Sequence, residues 1–488
     1  MARKEDMRTY ERLFIDGDWV LPEEPSRLDV VSPHSTEIVG TAPNAGKADV
    51  ARAVGAARRA FDDGEWPQLA PAERAAHLKA LAAAYEARVA EMGTLITEEM
   101  GSPLSFSHAV QAYAPVLLIN SFVDIANEFP WEQGRSGMLG ETVVRREPVG
   151  VVAAIVPWNT PQLTALTKLV PALLSGCTVV LKPAPQTPLD GLLLGEIIDG
   201  IGLPKGVVNI VTGGREAGEE LVTHPGVDKV AFTGSTDAGR RIAALCGANL
   251  KRVTLELGGK SAAIILDDAD LSATVEGLRM ASFMNSGQTC IAQTRILASR
   301  NNYAAVVEAI ADLAASLRVG DPMDAQTEVG PLVSQQQQRR VQEYIDLGQD
   351  EGARIAAGGS AMPCGLERGW YVRPTVFANA DNGMRIAQEE IFGPVLTVIP
   401  FSDSEDAVRI ANASRYGLAG SVWTGDVEQG MDIARRIRVG SFGINQYALD
   451  FVAPGGGFKD SGIGREGGRE GFEAFVEPKS ILAKEQAQ

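Results

Sequence analysis

Histidine and cysteine are scarce in this chain, with four of each among 488 residues. The cysteines (Cys177, Cys246, Cys290 and Cys364) form no CxxC pair, so neither a disulfide framework nor a zinc site is expected. The histidines (His34, His77, His108 and His224) are scattered without metal-ligand spacing, so no metal is expected, and a Cys–His dyad would need a tertiary contact. Excess positive charge is also lacking. The 62 acidic residues outnumber the 45 basic ones, giving a net charge of −17. That balance speaks against a nucleic-acid surface or an anchor on anionic membrane. Long apolar runs are missing too: VGVVAAIVP is broken by Pro157 and VPALLSGCTVVL is short, so no membrane span is expected. The opening MARKEDMRTYERLFIDGDW has no apolar core of a secretory signal. These absences leave the expectation of a cytoplasmic protein acting on a small molecule.

What is present has domain-like order. A chain of this length exceeds one hydrophobic core and suggests two or three domains. Residues 1–45 read as short strands and turns. Residues 48–64 and 71–100 are alanine-rich with interleaved charges and read as amphipathic helices, the second opened by Pro71 and closed by Gly101. From residue 150, apolar runs of strand length alternate with helical segments. The runs are GVVAAIVP (150–157), TVVLKP (178–183), VVNIVTG (207–213), KVAFTGS (229–235) and RVTLEL (252–257). The helices lie near 162–176, 189–200, 216–223 and 236–247. Continuous Val/Ile/Leu runs indicate strands buried on both faces. Five such units imply a doubly wound parallel sheet of nucleotide-binding type. A second α/β series uses SAAIIL (261–266), TRILAS (294–299), PVLTVIPF (394–401), GSVWTG (420–425) and GSFGIN (440–445). The stretch APGGGFKDSGIGREGG (453–468) reads as an irregular loop. ETVVRREP (141–148) and EPKSILAKE (477–485) each read as a strand in need of a partner.

In parallel sheets, ligands bind at the carboxyl ends of the strands. There the first run leads into Pro157, Trp158 and Asn159, and the second ends at Lys182. The fourth ends in FTGSTDAG, where small residues let backbone approach a phosphate at a helix N-terminus. The fifth ends at Glu256, followed by Gly258-Gly259-Lys260. Lys182 reads either as a ribose or phosphate ligand or as a solvated lysine. Glu256 reads either as a general base with a raised pKa or as an exposed edge carboxylate. Asn159 is a candidate oxyanion donor together with the Cys290 backbone N–H, although asparagine is common in turns. Cys290, in NSGQTCIAQ, is by itself as compatible with packing as with chemistry.

Taken in order, PWNTP, LKPAPQTP, FTGST, LELGGKS, GQTC, EEIFGPV and GGFKDSGIGREGG resemble the aldehyde dehydrogenase superfamily along essentially the whole chain. The resemblance implies a fold of three parts. These are a dinucleotide-binding domain (1–126 and 149–256), a catalytic domain (257–471), and a small β oligomerisation element (127–148 and 472–488). Both large domains would be doubly wound parallel-sheet α/β units, and the protein a homodimer or homotetramer. It further implies that Cys290 attacks the aldehyde to give a thiohemiacetal and then a thioester. Glu256 would activate the hydrolytic water, and Asn159 would stabilise the oxyanion. Lys168 and Glu466 match positions that relay the proton away. The dinucleotide would be bound by Ile155, Val156, Pro157, Trp158, Lys182, Gly213, Phe232, Gly234 and Ser235, with Glu390 and Phe392 placing the nicotinamide riboside.

One departure concerns the cofactor. The family often has a glutamate where this chain has Pro185, and that glutamate disfavours a 2′-phosphate. NAD is expected because no extra cation marks a phosphate site, and Pro185 leaves NADP open. The helix after Asn159, TPQLTALTK, lacks the arginine that meets carboxylate-bearing substrates. It carries Thr167 where choline-derived aldehydes meet a tryptophan. Leu163, Ile291, Tyr447 and Phe451 are candidate tunnel residues. A neutral, hydrophobic aldehyde (aliphatic, terpenoid or aromatic) is the expected substrate. Two alternatives stay open: a CoA-acylating dehydrogenase, which Glu256 argues against, and a silent binding protein, which the joint presence of Cys290, Glu256 and Asn159 argues against.

Overall fold

A computed structural model describes residues 7–138 and 140–482. The first six residues and the last six, including the end of the expected strand 477–485, lie outside the described residues. Five parallel strands, Val151–Ile155, Thr178–Lys182, Val208–Ile210, Lys229–Thr233 and Arg252–Glu256, build the first sheet. Val151–Ile155 lies at its centre. Lys229–Thr233 and then Arg252–Glu256 flank one side; Thr178–Lys182 and then Val208–Ile210 flank the other. The order reverses between Val151–Ile155 and Lys229–Thr233. There the following loops diverge to opposite faces and leave a crevice. Every residue of Val151–Ile155 and Thr178–Lys182 is buried, because helices cover both faces. Leu13–Ile15 and Asp18–Val20 extend one edge antiparallel.

The second sheet has six parallel strands: Ala262–Ile265, Arg295–Ser299, Thr375–Ala378, Val395–Phe401, Ala419–Trp423 and Ser441–Ile444. Arg354–Ala357 closes one edge antiparallel. Arg354–Ala357 and Thr375–Ala378 escape the sequence reading because each has only four residues, too few to establish a pattern. The glycine-rich stretch is mostly irregular, as expected, but its Gly462–Ile463 pairs antiparallel with Leu255 and Glu256. The chain thus returns from the second sheet to brace the strand end that carries Glu256.

Three further readings change. The segment 71–100 forms two helices, Pro71–Glu86 and Val89–Met100. Arg88 leaves helical geometry between them, and its guanidinium binds Glu91 (2.7 and 2.9 Å) and Glu196 (2.8 Å). The two partnerless strands find each other: Gly140–Pro148 pairs with Val476–Leu482, and Glu132–Gly137 adds a third strand. Finally, Leu104–Glu128 is one helical stretch long and apolar enough to cross a membrane by length and composition. Its Val116, Ile119, Phe122 and Val123 face the main core of the first sheet.

Phe472 is fully buried and meets Phe129 (4.8 Å) and Trp131 (5.7 Å) edge-on, tying the C-terminal segment to that helix. The Phe472→Ala variant is expected to lose about 3–5 kcal/mol, the cost of an aromatic-sized cavity. A lowered urea midpoint tests this; an unchanged midpoint contradicts it.

Candidate active site

The loop after Val151–Ile155 opens the crevice. Ile155 and Val156 are buried, and the Val156 N–H donates to the Lys182 carbonyl (3.1 Å). Pro157 turns the chain. Trp158 then meets the Phe392 ring edge-on at 5.4 Å. Phe392 has φ +64°, unusual for a bulky residue. Gln337 Nε2 holds that turn by donating to the carbonyls of Ile391 (3.1 Å) and Phe392 (2.8 Å).

Along the neighbouring strand ends lie the other expected cofactor residues. Lys182 is buried, and its amine donates to the Pro183 carbonyl (3.1 Å). Burial pushes its pKa down to about 8, which rules out the solvated-lysine reading. Gly213, past the third strand, stands against Ala45 and Ala217. The ring of Phe232 folds back over Gly234. Ser235 Oγ accepts from the Ala238 N–H (3.3 Å) and caps the helix Thr236–Ala248.

Strand Arg252–Glu256 delivers the carboxylate. The backbone behind it must run close, since a Cβ on Gly259 would stand 2.3 Å from the Cys290 carbonyl oxygen. The Gly259 N–H donates to Glu390 Oε1 (2.9 Å). The Gly-Gly turn therefore joins three groups: the Glu256 strand, Glu390 and the Cys290 loop. Cys177 and Cys246 are buried and Cys364 lies exposed elsewhere, whereas Cys290 keeps partial solvent access. Burial on its remaining sides, then the charges of Glu390 and Glu256, push the thiol up to about 12, against the N–H groups of Cys290 and Ile291. Burial, then Glu466, holds the Glu256 carboxyl well above the usual range, with Lys168 and Arg465 opposing. Burial also moves Glu390 to about 7.

Asn159 is buried, and its Nδ2 donates to the Gln288 carbonyl (2.9 Å), two residues before Cys290. Lys168 is fully buried on helix Pro161–Ser175 and binds Glu466 (2.5 Å) and Thr233 Oγ1 (2.6 Å). Leu163, Thr167, Ile291, Tyr447 and Phe451 are all partly buried. Leu163 and Phe451 pack on the same core as Trp158, and Tyr447 on the core of the second sheet. The Tyr447 hydroxyl pairs with Ser441 Oγ at 2.8 Å. Among the described residues, no group of three or more His, Cys, Asp or Glu is placed to hold a metal ion.

Sequence reasoning missed three polar residues here. Thr233 ends its strand beside Lys168. Lys260 is buried near Arg295 and Glu390, and burial first of all pushes its amine to about 7. Asn285 donates to the Asn159 carbonyl (2.8 Å). Thr233 and Lys260 stand inside the quoted motifs FTGST and LELGGKS, but only tertiary structure gives their side chains a partner.

Residues 19–481 match the profile of the "Aldehyde dehydrogenase family". A geranial dehydrogenase of Castellaniella defragrans is 45% identical over 473 residues, which covers 97% of this chain and 98% of that protein. The crystal structure of a Mycobacterium tuberculosis aldehyde dehydrogenase complexed with NAD+ superposes with a TM-score of 0.97. It shares 46% identity and covers 99% of this chain and 100% of that one. A mutant of Pseudomonas syringae aldehyde dehydrogenase C, complexed with NAD+ and octanal, gives a TM-score of 0.94 at 39% identity, covering 99% and 98%.

The electrostatics of Cys290 are open to test. Glu390→Gln keeps an acceptor for the Gly259 N–H but removes a charge that opposes the thiolate. At pH 9, where Glu390 is ionised, the variant should have a lower Cys290 pKa and more thiolate. Alkylation by iodoacetamide is expected to quicken roughly three- to ten-fold. An unchanged or slower rate contradicts the assignment.

Proposed function

The chain belongs to the aldehyde dehydrogenase family, and we propose from that premise that it oxidises a neutral, hydrophobic aldehyde to its acid with NAD. The observation that carries this reading is the meeting of three groups at one strand end. Cys290, Glu256 and Asn159 come from two sheets, and the backbone at Gly259 and Gln288 locks them together.

The chain's own residues perform the following steps. Cys290 Sγ, which keeps partial solvent access, gives its proton to water and adds to the aldehyde carbon, so that a C–S bond forms and the C=O π bond opens to leave an oxyanion. Asn159 has one N–H on Gln288 and a second free for that oxyanion. A nicotinamide held beside Trp158, Glu390 and Phe392 would supply the acceptor for the hydride released as the C–H bond of that carbon breaks. The carbonyl re-forms as a thioester on Cys290. Glu256, whose raised pKa suits a base working near neutrality, takes a proton from water. The resulting hydroxide attacks the thioester, the C–S bond breaks, and the acid leaves. The Lys168–Glu466 pair beside Glu256 receives the proton. Retention of this base supports release to water rather than to CoA.

The crevice suits a dinucleotide. A buried lysine ends the strand on one side of Val151–Ile155, a capped helix N-terminus follows the strand on the other, and the Trp158–Phe392 ring pair lies past Val151–Ile155 itself. Pro185 is partly exposed and offers neither an acceptor nor a negative charge to the adenosine ribose, which leaves NADP open; the NAD+ complexes of similar structures favour NAD. The flanking residues Leu163, Ile291, Tyr447 and Phe451 carry no charge, and the named activity of the geranial relative and the octanal bound in the Pseudomonas structure agree with an apolar aldehyde. Among the described residues, the two edges of the three-stranded sheet, Glu132–Gly137 and Val476–Leu482, remain open. Val143 and Ile481 pair across it, exposed. A second copy of the chain is the natural cover, giving a homodimer or homotetramer.

Absorbance at 340 nm tests the reading with octanal and succinic semialdehyde, NAD and NADP in parallel, without CoA. Reduction is expected to need Cys290, to run faster with NAD, and to favour octanal roughly tenfold or more in kcat/KM. Preference for succinic semialdehyde, dependence on CoA, or full activity of Cys290→Ala contradicts it.

A further inference from the structure

We propose that Asn285 is a positioning residue that sets the oxyanion donor Asn159 against Cys290, an inference that rests on the function proposed above. Asn285 is almost fully buried. Its backbone has φ +52°, followed by Ser286 at +59° and Gly287 at +72°. Three consecutive left-handed residues are costly in any chain of L-amino acids, least so for asparagine and glycine. Gly287 is required on a second count: a Cβ there would stand 2.3 Å from the Gly393 carbonyl oxygen. The run turns the chain so that the Gln288 carbonyl faces Asn159.

The side chain of Asn285 completes the arrangement. Its Nδ2 donates to the Asn159 carbonyl (2.8 Å) and more distantly to the Gln288 carbonyl (3.4 Å). Asn159 Nδ2 in turn donates to that same Gln288 carbonyl (2.9 Å). Gln288 is itself anchored. Its Oε1 accepts from the Val333 N–H (3.0 Å) and its Nε2 donates to the Asn285 carbonyl (3.3 Å). Asn159, Asn285 and Gln288 thus form a closed ring across the gap between the sheets. The ring fixes both ends of Asn159, its carbonyl and its amide, relative to the loop that bears Cys290.

The acceptor end of Asn285 tells the same story. Its Oδ1 is buried and has no hydrogen-bond partner among the described residues. A flipped amide would aim that oxygen at two carbonyl oxygens, so the orientation is set. An unpaired buried acceptor is a cost that an apolar residue would avoid. The position therefore holds asparagine for its donor, and the donor is spent on Asn159.

Asn285→Gly keeps the left-handed backbone and removes the donor. The test compares Asn285→Gly, Asn159→Ala and the double variant with octanal and NAD, and follows Cys290 alkylation by iodoacetamide alongside. Asn285→Gly is expected to lower kcat by about ten- to a hundredfold, less than or equal to loss of the oxyanion donor itself. KM and the alkylation rate should stay within about twofold, and the double variant should be no slower than Asn159→Ala. Multiplied losses in the double variant overturn the proposal, as does alkylation that falls with kcat, which would mean Asn285 merely holds the cysteine loop. Full activity in Asn159→Ala would instead overturn the oxyanion role beneath it. Should Asn285→Gly not fold, Asn285→Asp serves. Its carboxyl can donate to the Asn159 carbonyl only when protonated, so its kcat relative to the parent should rise as pH falls. A flat ratio overturns the proposal.

Discussion

The hydrogen bond from Asn159 Nδ2 to the Gln288 carbonyl joins two sheets at the point where Cys290 is placed. One sheet supplies Asn159, Lys182 and Glu256 at its strand ends; the loop that carries Cys290 leads into the other. Neither alone holds a complete set of groups for acyl chemistry. The junction works because backbone meets backbone there: Gly259 lies directly against the Cys290 carbonyl, and Gly287 against that of Gly393. Such contacts leave little freedom for the thiol relative to Asn159, and precise placement is what the proposed addition demands.

Charge is the second constraint. Burial raises the pKa of Glu256, Glu390 and Cys290 alike, and the two carboxylates add to the cost of ionising the thiol. Lys168 and Glu466 are buried beside them as a pair. A buried ion pair adds little stability on balance, because desolvation offsets its attraction. In the function proposed above, its value is to hold a place for a proton next to Glu256.

Much of this was legible in the sequence. The first sheet could be read strand by strand because its Val/Ile/Leu runs are buried on both faces. The chemically distinctive residues then fell at the ends of those runs by the logic of parallel sheets. The aldehyde dehydrogenase motifs named Cys290, Glu256 and Asn159, residues that seemed equivocal one at a time. What could not be read depends on distant partners. Helix 71–100 divides at Arg88 because Glu196 draws its guanidinium away. Gly462–Ile463 is a strand only because Glu256 lies beside it. Lys182 is a buried lysine because its stem runs beside the Gly218 helix, so close that a Cβ on Gly218 would stand 3.6 Å from its Cε. Asn285 stands within the quoted NSGQTC, but its role emerges only when Asn159 is brought to it from 126 residues away.

The central claim is that Cys290 carries the acyl group and Glu256 releases it to water. The direct measurement is intact-protein and peptide mass spectrometry of Glu256→Gln, quenched after mixing with octanal and NAD. The account predicts an octanoyl adduct confined to the Cys290 peptide, formed together with one burst of cofactor reduction and little turnover after it. Absence of both adduct and burst, or unimpaired turnover by the variant, would contradict it.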